Sequence, residues 1–113
     1  MRLFVLAAFL VPGLAFAQSA GNATNGKALF LRNDCYWCHG TVGQGGRDGA
    51  RIGQTSLNLQ GFLRYVRRPA GAMPAFTDKV LSDSDLTDIY AYLKSVPAAK
   101  PSKDIPLLNS LGN

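Results

Sequence analysis

The chain of 113 residues is short of the side chains that most often carry chemistry. It has 2 cysteines, 1 histidine, 1 tryptophan and no glutamate, and its 2 methionines are Met1 and Met73. Cys35, Cys38 and His39 fall short of the roughly four ligands a structural zinc site takes, unless an aspartate completes the set. Two cysteines also exclude a framework of several disulfides. There is no lysine-arginine run and no row of aromatics interleaved with basic residues. The net charge of +5 therefore favours a negatively charged protein partner over nucleic acid, with a membrane only as a nearby surface. No segment reads as a strand by alternation of apolar and polar residues.

Long apolar runs are missing except at the start. Arg2 precedes the apolar stretch Leu3 to Val11; Pro12 and Gly13 interrupt it, and Ala15-Phe16-Ala17 forms a small-residue cleavage pattern. Such a segment is shorter than the roughly 20 apolar residues that span a bilayer and reads as an export signal. We expect residues 1–17 to be removed on export to the periplasm, residues 18–97 to form one domain, and residues 98–113 to be an irregular tail. A domain of this size gains only modest stability from its own core, so a buried cofactor would help it.

Three helices are expected. Ala23 to Asn33 carries Ala28, Leu29, Phe30 and Leu31, with Asn22 or Thr24 as cap; Gly26 inside it costs about 1 kcal/mol against alanine and asks for a packing reason. Gly40, Gly43, Gly45, Gly46, Gly49 and Gly53 make the next stretch a long loop, a length that in compact domains is usually functional or disordered. Leu57 to Arg68 places Leu59, Phe62, Leu63 and Val66 at helical spacing and stops at Pro69. Ser82 to Ser95 has a capping serine, Asp83 and Asp85 in its first turn, and a stripe of Leu86, Ile89, Tyr90 and Leu93. The tail contains Pro97, Pro101 and Pro106, with Leu107, Leu108 and Leu111 available to pack.

The central motif is Cys35-Tyr36-Trp37-Cys38-His39, the C-x-x-C-H pattern of covalent haem attachment. Two thiols at this spacing reach one porphyrin edge as thioethers, and the adjacent imidazole becomes an axial iron ligand. A zinc site and a thioredoxin-like redox pair are the rival readings. The latter belongs beside a strand-helix-strand pattern that this chain does not show. His39 is the single histidine, so two-histidine ligation within the chain is excluded. Met73 is the remaining soft ligand, and histidine-methionine coordination raises reduction potential. Gly71 and Ala72 let the backbone approach a haem face, and Pro74 keeps Met73 extended. The bland alternative for Met73 is an adaptable core residue.

The order of the haem motif, Met73-Pro74 and the helix ending Tyr90-Ala91-Tyr92-Leu93-Lys94 resembles the class I monohaem cytochromes c over nearly all of residues 18–113. The resemblance implies an all-α fold, three to four helices and long loops wrapped around one covalently bound haem c with iron. It implies a first helix whose small residue, Gly26 by position, meets an aromatic of the last helix, Tyr92 by position. Many members have a proline after the motif whose carbonyl holds the proximal histidine. Ala50 takes that place here.

Candidate pocket residues are Phe30, Trp37, Leu59, Phe62, Leu63, Val66 and Phe76. Arg47, Arg51, Arg64, Arg67 and Arg68 form the densest basic region, read as a solvated face or as partners of haem propionates, Arg51 first, and of a docking surface. With cofactor-binding Cys35, Cys38, His39 and Met73, and iron between His39 and Met73, no position is open to substrate. The expectation is an electron-transport protein rather than an enzyme, passing single electrons between redox proteins such as a dehydrogenase donor and an oxidase or cytochrome acceptor. It would act as a monomer or as a subunit of a dehydrogenase complex. A haem sensor with a displaceable Met73 is a third reading.

Overall fold

A computed structural model describes residues 20–111 of the chain. The expected export signal, residues 1–17, lies outside them. The described residues hold five α-helices and no strand: α1 (Ala23–Arg32), α2 (Cys35–His39), α3 (Leu59–Arg67), α4 (Asp83–Ser95) and α5 (Pro106–Ser110). Three of these are the expected helices, so the all-α class holds, and the haem motif and the tail each add a short one. None is long and apolar enough to cross a membrane among the described residues.

The ends of the long helices follow local chemistry. Asn22 caps α1 by accepting from the N–H groups of Thr24 and Asn25. Asn58 caps α3 through Gly61 N–H at 2.8 Å. At α4 the Ser82 hydroxyl accepts from Asp85 N–H at 3.1 Å while the Asp85 carboxylate accepts from Ser82 N–H at 2.9 Å, a reciprocal box. Each cap satisfies donors that the first helical turn leaves unpaired.

The architecture turns on the crossing of α1 and α4. Gly26 faces the α4 backbone so closely that a Cβ placed there would overlap the Asp88 carbonyl and stand 2.8 Å from Ile89 N. This is the packing reason for a glycine within a helix. Asp88 completes the joint, its two carboxylate oxygens accepting from Asn22 N–H at 2.7 Å and from Asn25 Nδ2 at 2.8 Å.

Leu29, Phe30, Phe62, Val66, Leu81, Leu86, Ile89, Tyr92 and Leu93 form the core. Burying side chains of this size contributes about 1.5–3 kcal/mol each against exposure. The buried arc of α4 is wider than the stripe of Leu86, Ile89, Tyr90 and Leu93, since Tyr92 is buried as well. Tyr92 is the buried tyrosine, its ring 5.6 Å from Phe30 and its hydroxyl donating to the Thr41 carbonyl at 3.0 Å. Tyr90 sits half-buried against Phe62 and donates to the Leu57 carbonyl. The small residue of α1 thus meets α4 backbone, and the aromatic partner of Tyr92 is Phe30.

The tail is not wholly irregular. A 3-10 turn (Ser102–Asp104) precedes α5, whose first residue Pro106 has the fixed φ that a helix start accepts. Leu107, Leu108 and Leu111 do not pack on the core; Leu107 and Leu111 are 69% and 74% exposed. A helix of five residues is marginal in water on its own.

Candidate functional site

A sharp change of direction presents the motif. Asn33 ends α1, its N–H donating to the Leu29 carbonyl at 3.0 Å, and Asp34 then takes a left-handed conformation, φ 57°. Aspartate tolerates that region better than most side chains. Trp37 N–H donates to the Asp34 carbonyl at 3.1 Å, opening α2.

Within α2, Cys35 and Cys38 stand one turn apart and are both free thiols. Residues three apart share a helix face, and the residue between them at position 37 points elsewhere. Trp37 accordingly lies 74% exposed, outside the pocket in which the sequence placed it. Cys35 packs against the core. Burial pushes its thiol up to about 11.

His39 closes the helix. Its Nδ1 lies 2.7 Å from the Ala50 carbonyl oxygen. A carbonyl only accepts, so Nδ1 carries the proton and Nε2 keeps the lone pair that a metal needs. Ala50 makes this bond without proline. The glycine loop places it there: Gly45 N–H donates to the His39 carbonyl at 2.7 Å, Gly46 N–H to Gly49 at 3.0 Å, and Ile52 and Gly53 N–H both to Gly43. Gly49 lies against the motif itself, where a Cβ would stand 2.8 Å from the Cys38 carbonyl carbon and 2.9 Å from its Cβ.

Met73 sits in the segment between α3 and α4, half-buried, and, like Cys35, Tyr36, Ile52, Leu63 and Phe76, it packs against the core. Of the expected pocket residues, Phe30, Phe62 and Val66 are buried, and Leu59, Leu63 and Phe76 are partly so. The arginines divide. Arg67 is engaged within the protein, donating to the Phe76 carbonyl at 3.0 Å and to Asp83 at 2.6 Å. Arg47 pairs with its neighbour Asp48 on the surface. Arg51, Arg64 and Arg68 are exposed.

The rival chemistries find less support. Among the described residues no three histidine, cysteine or acidic side chains converge on a metal position. The strand-helix-strand setting of a thioredoxin-like pair is absent from them too. What the site offers is a pair of unlinked thiols on one helical turn, an imidazole with its distal nitrogen free, and a thioether beside an apolar wall. These residues fit a covalently bound haem.

The family model described as cytochrome C oxidase, cbb3-type, subunit III, matches residues 21–93. The chain belongs to this family and is a c-type cytochrome. No curated protein and no solved structure matched it. Membership accounts for the all-helical fold and implies haem c, iron, electron transfer and redox protein partners. The matched stretch contains the c-type cytochrome's motif helix, glycine loop, Met73 segment and most of α4, and ends before the tail.

Proposed function

We propose that this c-type cytochrome is an exported carrier that shuttles single electrons between redox proteins, with haem attached through Cys35 and Cys38 and iron held by His39 and Met73. The observation that carries the reading is the His39–Ala50 bond of 2.7 Å, which frees Nε2 and fixes the ring beside the two thiols. When bound, haem supplies reversible one-electron chemistry at iron. The chain's own part is to orient the imidazole, hold a soft thioether, and exclude water with Phe30, Phe62, Val66 and Leu81. Trp37 is exposed beside the motif, so the surface next to the attachment cysteines would suit the small transient contacts of electron-transfer partners. Exposed Arg51, Arg64 and Arg68 favour an acidic partner, and the expected export signal at residues 1–17 would direct the chain to the periplasm.

Expression with haem-attachment machinery tests this reading. Haem should stay on the denatured wild-type chain and be lost from Cys35→Ala/Cys38→Ala. The ferric protein should show a methionine-to-iron charge-transfer absorption that Met73→Ala abolishes, with a lower reduction potential. Retention of that absorption in Met73→Ala would show that another group is the ligand.

A second reading, a subunit of a larger oxidoreductase, draws on the family's description as an oxidase subunit and on exposed Leu107, Leu108 and Leu111. Stoichiometric co-purification with such a complex, lost on removal of residues 105–113, would favour it over a free shuttle.

A further inference from the structure

The segment that carries Met73 is held unevenly. Upstream of Met73, Gly71 turns at φ +68° with no atom within 4 Å of the place a Cβ would occupy. Downstream, Phe76 is gripped through both polar groups of its backbone. Its N–H donates to the Val66 carbonyl at 3.2 Å, and its carbonyl accepts from Arg67 Nη1 at 3.0 Å. The same guanidinium reaches α4, with Nη2 2.6 Å from Asp83 Oδ1.

One side chain therefore joins the end of α3, the Met73 segment and the first turn of α4. The Arg67 side chain is only 21% exposed, which strengthens its charge-assisted bonds relative to those of a solvated arginine. Its planar fork serves two acceptors at once, a geometry lysine does not reproduce.

We infer that Arg67 is a positioning residue for Met73: the guanidinium clamps Phe76 against α3 and Asp83, and so sets how readily an external ligand displaces the thioether from iron. The inference rests on Met73 being the ligand. Without the clamp, the Val66–Phe76 bond is the hydrogen bond left to hold Phe76 to α3, beside the packing of Met73 and Phe76 on the core. Arg67 is then unavailable to propionates or to a partner, which separates it from Arg64 and Arg68 on either side.

The test uses the haem-loaded protein and the rate of carbon monoxide binding to its reduced form, with melting temperature measured in parallel. Arg67→Gln, which removes the bonds to both Phe76 and Asp83, should bind carbon monoxide at least about tenfold faster than wild type, the factor that loss of one such bond would already supply. Asp83→Asn, which keeps the Phe76 bond, should fall between the two, and Arg67→Lys should recover part of the loss. Asn22→Ala removes a helix cap away from the Met73 segment; it should melt lower but bind at the wild-type rate. Equal rates for Arg67→Gln and Asn22→Ala would overturn the clamp. Should Arg67→Gln fail to take up haem, the same comparison of Asp83→Asn with Asn22→Ala decides. Met73→Ala separates the two claims. If it keeps the ferric charge-transfer absorption, the ligand assignment fails. If it loses the absorption while Arg67→Gln binds carbon monoxide like wild type, only the clamp fails.

Discussion

The two candidate axial ligands are carried by segments built in different ways. His39 ends a helix, and its ring is tied to a loop whose own backbone groups bond to one another and back to the motif through Gly45, Gly46, Ile52 and Gly53. Met73 lies in a segment held to α3 by one backbone bond and one arginine. The histidine side is thus fixed by several main-chain bonds, and the methionine side by one main-chain bond and one side chain. Main-chain bonds along a tight loop form or break together, whereas a guanidinium clamp can open by itself. An electron carrier gains from this asymmetry only while the clamp stays shut, since an open sixth position admits small ligands.

Substitutions at glycine separate the two sides. The largest effect should come from Gly26→Val, which strikes the joint that supports both. Helix backbone would have to part from helix backbone, at a cost of about 3 kcal/mol or more. We expect loss of cooperative unfolding by circular dichroism and failure to retain haem. Gly49→Ala touches the histidine side alone. Its Cβ meets Cys38 backbone at 2.6 Å, so either the loop or α2 must shift, costing about 1–3 kcal/mol and lengthening the His39–Ala50 bond. Denaturant unfolding gives the first, and the imidazole N–H resonance in the NMR spectrum reports the second. Gly71→Ala touches the methionine side, where space is open and only the left-handed backbone resists. A cost of about 1 kcal/mol is expected, with no movement of the His39 resonance. Equal effects of Gly49→Ala and Gly71→Ala on that resonance would show that the two sides are not independent.

Much of this contrast is legible in the sequence, and the part that is not has a physical cause. Asn22, Ser82, Asp85 and Pro69 act on neighbours a few residues away, so the ends of α1, α3 and α4 can be read locally. The glycine-rich composition after His39 likewise marks a loop, and scarcity of other ligands points to Met73. Tyr90 and Tyr92 are harder. Both lie beside the stripe of Leu86, Ile89 and Leu93, and it is the approach of α1 at Gly26, a tertiary contact, that turns α4 to bury Tyr92. Trp37 carried a usable signal: helical spacing that puts Cys35 and Cys38 on one face sends position 37 away from it. Arg67 carried none. Its chief partner is the Phe76 carbonyl, and main-chain acceptors have no signature in side-chain order, so it looks no different from Arg64 and Arg68. The leucines of α5 read as packing residues because composition records hydrophobicity and not whether a surface lies within reach.

The smallest expected effect concerns acid. Asp85 receives hydrogen bonds from the Ser82 hydroxyl at 2.8 Å and the Ser82 N–H at 2.9 Å, which hold its carboxyl below the ordinary value of 3.8. A carboxyl with a depressed folded-state value adds stability that is present above the unfolded value and is lost as pH falls through the folded one. Solvent screens this exposed group, so its contribution should be smaller than that of Gly71. The melting temperature of Asp85→Asn should lie slightly below that of wild type at about pH 6, and the gap should narrow as pH falls below the ordinary value of 3.8 and Asp85 itself becomes neutral. The box stands where the Met73 segment enters α4, beside Asp83 and its bond to Arg67. Through Asp85, acid should therefore loosen the methionine side first, with faster amide exchange at Ser82 and Asp85 than at Gly45 and Ile52 in the histidine-side loop. A gap between wild type and Asp85→Asn that stays constant down to pH 2 would mean that the carboxylate charge contributes nothing to this anchor and that the serine cap acts alone.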